Sequence, residues 1–303
     1  MSISHYNSYR NYLKKKFGKP VLKIPVSAGF SCPNRDGTKS RNGCSFCDNS
    51  SFSPVALCEN NPVDQLLSII QRAKHFDAFL PYLQPFSNTY GSVELLRSVY
   101  EPLIAISGVV GLAIGTRPDC FSEAIFSYLK ELNSGTYLSI ELGLQSSHNS
   151  TLEKINRGHT FEEFSKTCET LSRLNIETAA HVMLGLPGET PEMVIKTAQR
   201  LAELPVHGVK IHQLMIIKNT EFQRWFEDGY ITLLTLQQYA ELLDAFISNL
   251  RADQYIHRIM ADSKPEYGLI GPDWSQHKNE SIAFIHAFMD RVGTVQGRFR
   301  AGG

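Results

Sequence analysis

YLSIELGLQSSHNSTLEKINRGHTFEEFSKTCETLSRLNIETAAHVMLGLPGET, residues 137–190, holds the pattern from which the fold is read. A short β-rich apolar run at 137–142 ends in a polar loop, an amphipathic stretch follows at 161–174, and a second apolar run at 177–183 ends in a glycine-rich turn. Apolar runs this short suit strands, and the long amphipathic stretch between them suits a helical crossover joining parallel strands. Working outward, the same unit recurs. The spacing predicts further strands at 21–26, 79–83, 109–114 and 208–215, with helices at 62–75, 93–105, 122–132 and 191–204. Six units predict an α/β fold, a parallel sheet curled into a partial (β/α)6 barrel whose chemistry lies at the carboxyl ends of its strands. Past Lys218 the alternation stops. Helical signals at 221–228, 235–250 and 280–291 and a strand signal at 255–261 predict a C-terminal α/β extension, so residues 1–218 form the barrel and 219–303 the extension.

Composition narrows the class. Thirty Lys+Arg balance thirty Asp+Glu and 42% of the 303 residues are hydrophobic, which excludes disordered, collagenous and coiled-coil chains. No run approaches eighteen apolar residues and the first twenty lack the apolar stretch of a signal peptide, so a cytoplasmic protein with no membrane partner is expected. Its six cysteines then read as core residues, metal ligands or reactive thiols rather than disulfides. The neutral total hides an asymmetry. Seven basic residues (Arg10, Lys14, Lys15, Lys16, Lys19, Lys23 and Arg35) precede the first acidic one, Asp36. Such a segment suits either a solvated helix face or a grip on a polyanion held near the loop that follows it.

That loop, AGFSCPNRDGTKSRNGCSFC, carries Cys32, Cys44 and Cys47 directly after the first predicted strand. Its turn formers Pro33, Asn34, Asp36, Gly37, Asn42 and Gly43 allow it to fold back and bring three thiolates to one metal centre. The spacing admits zinc with a histidine as fourth ligand, or an iron-sulfur cluster. A structural zinc site closes with four protein ligands, whereas a cubane on three cysteines leaves one iron open. Cys58, Cys120 and Cys168 read as buried core thiols.

With Cys44-Ser45-Phe46-Cys47 in the form Cys-x-aromatic-Cys, the chain resembles the radical S-adenosylmethionine (radical SAM) enzymes. The eleven residues between Cys32 and Cys44 depart from the commonest spacing of that superfamily and resemble the subgroup around the catalytic subunit of elongator, with its small bacterial relatives. The stretches CPNRDG, FSNTYGS, TRPD, ELGLQS, INRGH, HVMLGLPGET and GVKIHQLMIIKNT extend the resemblance over nearly the whole chain. It implies that Cys32, Cys44 and Cys47 bind a 4Fe-4S cluster whose fourth iron takes SAM, that SAM is reductively cleaved to a 5'-deoxyadenosyl radical, and that a reductase or flavodoxin-type partner supplies the electron. Phe46 would lie beside the adenine. Asn88 and Thr89 stand where the superfamily often has a glycine-glycine-glutamate motif, which this chain lacks, and could accept from the SAM amino group. Glu141 and Gln145, ending the fourth strand, have the chemistry to bind ribose or the amino-acid part of SAM. The cost of an unpaired buried carboxylate argues for such a role at Glu141. Arg157 suits the SAM carboxylate and Gly185 a close backbone approach to the ligand. Thr116, Arg117 and Asp119 fit either a turn and helix start or SAM contact.

Kinship with elongator implies tRNA as substrate, at the side chain of the wobble uridine, and Tyr6, Tyr9, Tyr12 and Phe17 among the first basic residues suit base stacking as well as packing. The alternatives are a radical SAM enzyme acting on a small molecule or protein, and a zinc-stabilised binding protein without catalysis.

Overall fold

The computed structural model describes residues 5–48, 60–261 and 263–299; Cys58 lies outside them. The chain runs α1 (Tyr9–Phe17), β1 (Leu22–Val26), α2 (Pro62–Ile70), β2 (Phe79–Leu83), α3 (Val93–Ile104), β3 (Gly111–Thr116), α4 (Glu123–Gly135) and β4 (Tyr137–Gln145). It continues through α5 (Asn149–Lys154), α6 (Phe161–Arg173), β5 (Glu177–Leu184), α7 (Pro191–Glu203), β6 (Gly208–Gln213), β7 (Ile216–Ile217) and α8 (Glu221–Glu227). The last elements are α9 (Leu236–Ser248), β8 (Tyr255–Arg258), β9 (Leu269–Gly271) and α10 (Lys278–Val292). Six predicted strands form where the apolar runs place them, within a few residues at their ends.

Strands β1 to β6 pair in sequence order, all parallel, and β8 adds a seventh beside β6. The result is a curled half-barrel. Alternation along β4 explains its two faces: Leu138, Ile140, Leu142 and Leu144 join the main core under the helices, while the residues between them face the concave side. The strand predicted in the extension therefore completes the barrel sheet. Gly208 makes this pairing possible, since a Cβ there would run into the ring of its partner Tyr255. The rest of the C-terminal region packs close by, with α9 against α7 and α10, and β7 paired antiparallel to β9.

The first helix lies at the amino ends of the strands. Ser8 caps it and bridges Ile256, and Tyr12 stacks on Tyr255, the first residue of β8, with ring centroids 4.3 Å apart. Lys16 pairs with Glu177, the first residue of β5, at 2.6 Å, and Lys19 donates to the Asp77 carbonyl just before β2. The expectation that this basic segment lies near the cysteine loop is thereby corrected for α1, while Arg35 belongs to that loop itself. Helix and loop sit at opposite ends of β1, and the tyrosines of α1 pack into a bottom layer with Leu80, Tyr82 and Tyr255.

Candidate active site

The cysteine loop leaves the carboxyl end of β1 and folds on its own turns. The amides of Arg35 and Asp36 donate to the Cys32 carbonyl, the Gly43 amide donates to the Asn34 carbonyl at 2.7 Å, and the Cys47 amide donates to the Cys44 carbonyl. Gly37 and Gly43 take positive φ values of 96° and 75°, which glycine adopts at little cost. The second half of the loop is clamped from two sides. The Asn156 side chain donates to the Gly43 carbonyl at 2.6 Å, while Ser45 donates its amide to Ile155 and its hydroxyl to Glu221 at 2.7 Å.

Cys32, Cys44 and Cys47 line a cavity of ≈ 160 Å³ together with Phe46, Glu141, Gln145 and Arg157. Among the described residues no group of three His, Cys, Asp or Glu is placed to hold a single metal ion. Two donors reach the buried Cys44 sulfur: Arg157 Nη1 at 3.3 Å and Asn34 Nδ2 at 3.6 Å. Hydrogen bonds to sulfur stabilise a thiolate, and they tune clusters. Burial pushes the Cys47 thiol up to about 11, and the nearby Cys44 and Cys32 sulfurs add to it against the opposing Arg35. Around the cavity the buried atoms Asn34 Oδ1, Ser87 Oγ, Arg117 Nη1 and Gln145 Oε1 have no protein partner. Buried polar groups left open in one cavity fit a polar guest. The residues present thus fit a 4Fe-4S cluster with a polar ligand beside it.

The other expected site residues divide. Phe46 packs against Phe222 while lining the cavity. Gln145 closes β4 with φ of 80°, a left-handed backbone unusual for a residue with a Cβ, next to a bulge that spans Gly143 and Gln145. Arg157 spends Nε and Nη2 on the Gly143 carbonyl, and a Cβ at Gly143 would collide with that guanidinium. Asn88 and Thr89 do not line the cavity. The Asn88 amide donates to the carbonyls of Leu83, Pro85 and Gly115, and Thr89 bonds Thr116 and the Cys120 carbonyl, so both stitch the loop after β2 to β3. Gly185 lines a separate cavity beside Tyr230, Leu234 and α9. Cys120 and Cys168 are buried.

Glu141 is fully buried yet has partners that the sequence did not reveal. Lys23 pairs with its Oε1, while Lys210 at 3.0 Å and His181 at 2.7 Å meet Oε2. Burial alone would raise this carboxyl, but Lys210 and Lys23 outweigh it and hold it well below the usual range. The argument from an unpaired carboxylate is therefore corrected. Asn34, read from the sequence only as a turn former, and Arg117, read as either a turn residue or a SAM contact, both line the cavity. Arg117 is buried in the cavity wall and grips Asp119 through two bonds of 2.9 Å, while Lys39 pairs with the same carboxylate at 2.5 Å. Burial would raise the Asp119 carboxyl, but Arg117 and Lys39 bring it down to about 2.

Comparison with known proteins is consistent across sequence and fold. Residues 36–201 match the model of the Radical SAM superfamily, and residues 206–291 that of the Radical_SAM C-terminal domain. The protein YtqA of Bacillus subtilis is 35% identical over 97% of this chain and 92% of its own length. A tRNA uridine(34) acetyltransferase of Dehalococcoides mccartyi is 26% identical over 61% of this chain, which spans 43% of that protein. Among solved structures, the archaeal Elp3 of Methanocaldococcus infernus superposes with a TM-score of 0.69 at 18% identity, over 91% of this chain and 64% of that one. No described helix is long and apolar enough to cross a membrane.

Proposed function

The chain belongs to the radical SAM superfamily, and from that premise we propose that it is an enzyme modifying the side chain of the wobble uridine in tRNA. The observation that carries the enzymatic reading is the cavity in which Cys32, Cys44 and Cys47 face Glu141, Gln145, Arg117 and Arg157 at the carboxyl ends of the strands. Members of this superfamily use a 4Fe-4S cluster and SAM, which when bound supply reductive cleavage of the sulfonium and abstraction of a hydrogen atom from substrate. The three cysteines would hold the cluster. Asn34 and Arg157 donate to the Cys44 sulfur and would hold that ligand in place. Gln145 and Arg117 offer an acceptor and a donor without protein partners to the polar parts of SAM, and Phe46 offers an aromatic face to its adenine. An external electron donor completes the set, a flavodoxin-type protein or a reductase.

The tRNA part rests on the likeness to proteins whose established target is uridine 34 of tRNA. The chain spans less than half of such an acetyltransferase, so acetyl transfer is not carried over to it. Mass spectrometry of the nucleosides of bulk tRNA, with and without the gene, tests the reading. A wobble-uridine derivative should disappear and its precursor accumulate. An unchanged nucleoside profile would remove tRNA as the substrate.

A further inference from the structure

The interior of the half-barrel carries a charge arrangement that the cluster and SAM leave unused. Glu141 is the one carboxylate at its centre, and two ammonium groups, Lys23 and Lys210, contact it from β1 and β6. His181 from β5 and His257 from β8 complete the ring, His257 standing 3.5 Å from Glu141 Oε1. The side chain of Glu141 is 0% exposed, that of Lys210 9% and that of His257 3%. Two ammonium groups, with the Arg258 guanidinium close by, face one carboxylate, so positive charge outnumbers negative around Glu141, and a buried excess charge is costly unless a counter-charge joins it.

The hydrogen bonds show the same deficit. Lys210 Nζ donates to Glu141 and to the Tyr82 hydroxyl, each at 3.0 Å, and Lys23 donates to Glu141 while lying 4.0 Å over the Tyr82 ring. An ammonium has three donors, so both keep at least one to give. Both ring nitrogens of His257 lack a hydrogen-bond partner, although the ring stacks on Tyr9 with centroids 3.8 Å apart. Burial, and after it the neighbouring Lys23 and Arg258, draws the Lys210 ammonium down to about 7 despite Glu141.

Position gives the deficit a use. Glu141 lies on the concave face of β4 two residues before Gly143, whose carbonyl holds Arg157, and Tyr82, Glu141 and His181 line the cysteine cavity. The cavity thus reaches the group at Tyr82, Glu141 and His181, with Lys23, Lys210 and His257 directly behind them. We propose that this cationic well binds a carboxylate of the substrate between Lys23, Lys210 and His257, so that the carbon next to that carboxylate faces the cysteine end of the barrel. This rests on reading the cavity as the reaction site. A carboxylate is the anion this group already holds, since Glu141 accepts from both Lys23 and Lys210.

Acetate is the probe, used on the full-length protein without SAM or reductant, so the result does not depend on radical chemistry or on tRNA. Sodium acetate should raise the melting midpoint above that in sodium chloride or sodium phosphate at matched ionic strength and pH. Lys210→Met should weaken acetate binding by about tenfold or more, the loss of one charge-assisted contact. Glu141→Gln separates the well from a mere structural brace: it removes the competing anion, so acetate should bind tighter than to the wild type even though the protein itself is less stable. Should Lys210→Met not fold, the Glu141→Gln titration decides alone. Equal responses to acetate and chloride, a stronger response to phosphate, or weaker acetate binding in Glu141→Gln would each overturn the proposal. A negative nucleoside comparison with a positive acetate titration would instead discard tRNA and keep the well.

Discussion

At the residue scale the cysteines separate by environment. Cys44 receives two donors at its sulfur and shares a cavity with Cys32 and Cys47, whereas Cys168 is buried in the main core and Cys120 is buried within the loop after β3. After anaerobic reconstitution, iron analysis should give about four irons per chain, as for a cubane. Cys32→Ala, Cys44→Ala and Cys47→Ala should each lose more than half of that iron, while Cys120→Ala and Cys168→Ala should keep it. Full iron in any of the first three would remove that residue from the ligand set. The three thiols were legible in the sequence because ligand spacing within one loop is a local property. The donors to Cys44 were less so: Arg157 lies 113 residues away, and the turn that aims Asn34 forms only once the loop closes.

At the scale of elements, local signals set the helices and strands well. Helix α6 starts at a capping box, in which Thr160 accepts from the Glu163 amide and Glu163 accepts from the Thr160 amide. Thr160→Ala should cost about 1 kcal/mol in a denaturant titration. A cost near zero would show that the site residue Arg157, just before this cap, is fixed by tertiary contacts alone. Three short elements escaped the sequence reading. Helix α5 is a single six-residue stretch, and β7 and β9, of two and three residues, pair across some fifty residues of chain. None is long enough to show a period. The seventh strand had a clear β signal, but its place beside β6 depends on a pairing that no local pattern encodes.

For the whole molecule, Glu177 ties the beginning of the chain to its end. It accepts hydrogen bonds from Tyr12 and Lys16 of α1, from Tyr137 of β4 at 2.7 Å and from Tyr255 of β8 at 3.1 Å. Burial alone would raise the Glu177 carboxyl, but Lys16, Tyr12 and Tyr137 outweigh it and hold it below its ordinary value of 4.5. A carboxylate with a depressed folded pKa stabilises the fold above its unfolded pKa, and that stability is lost as pH falls through the folded value. Urea midpoints of the wild type should therefore drop below about pH 4, and those of Glu177→Gln, lower at neutral pH, should fall less over the same range. Parallel pH profiles would show that this carboxylate does not tie α1 to the barrel.

By itself the sequence determined the six strand-helix units, the cysteine loop and the kinship, because apolar periodicity, turn residues and ligand spacing are written over short stretches. It also misled where neighbours in sequence were taken as neighbours in space. The five residues of β1 carry the chain roughly 16 Å along the sheet, so the basic helix before the strand and the cysteines after it end at opposite mouths. Only the tertiary structure decided the seventh strand and the company of Glu141. Its lysines lie 118 and 69 residues away along the chain, and a carboxylate read alone as unpaired becomes the centre of a cationic well when β1, β4 and β6 turn their inner faces toward one another.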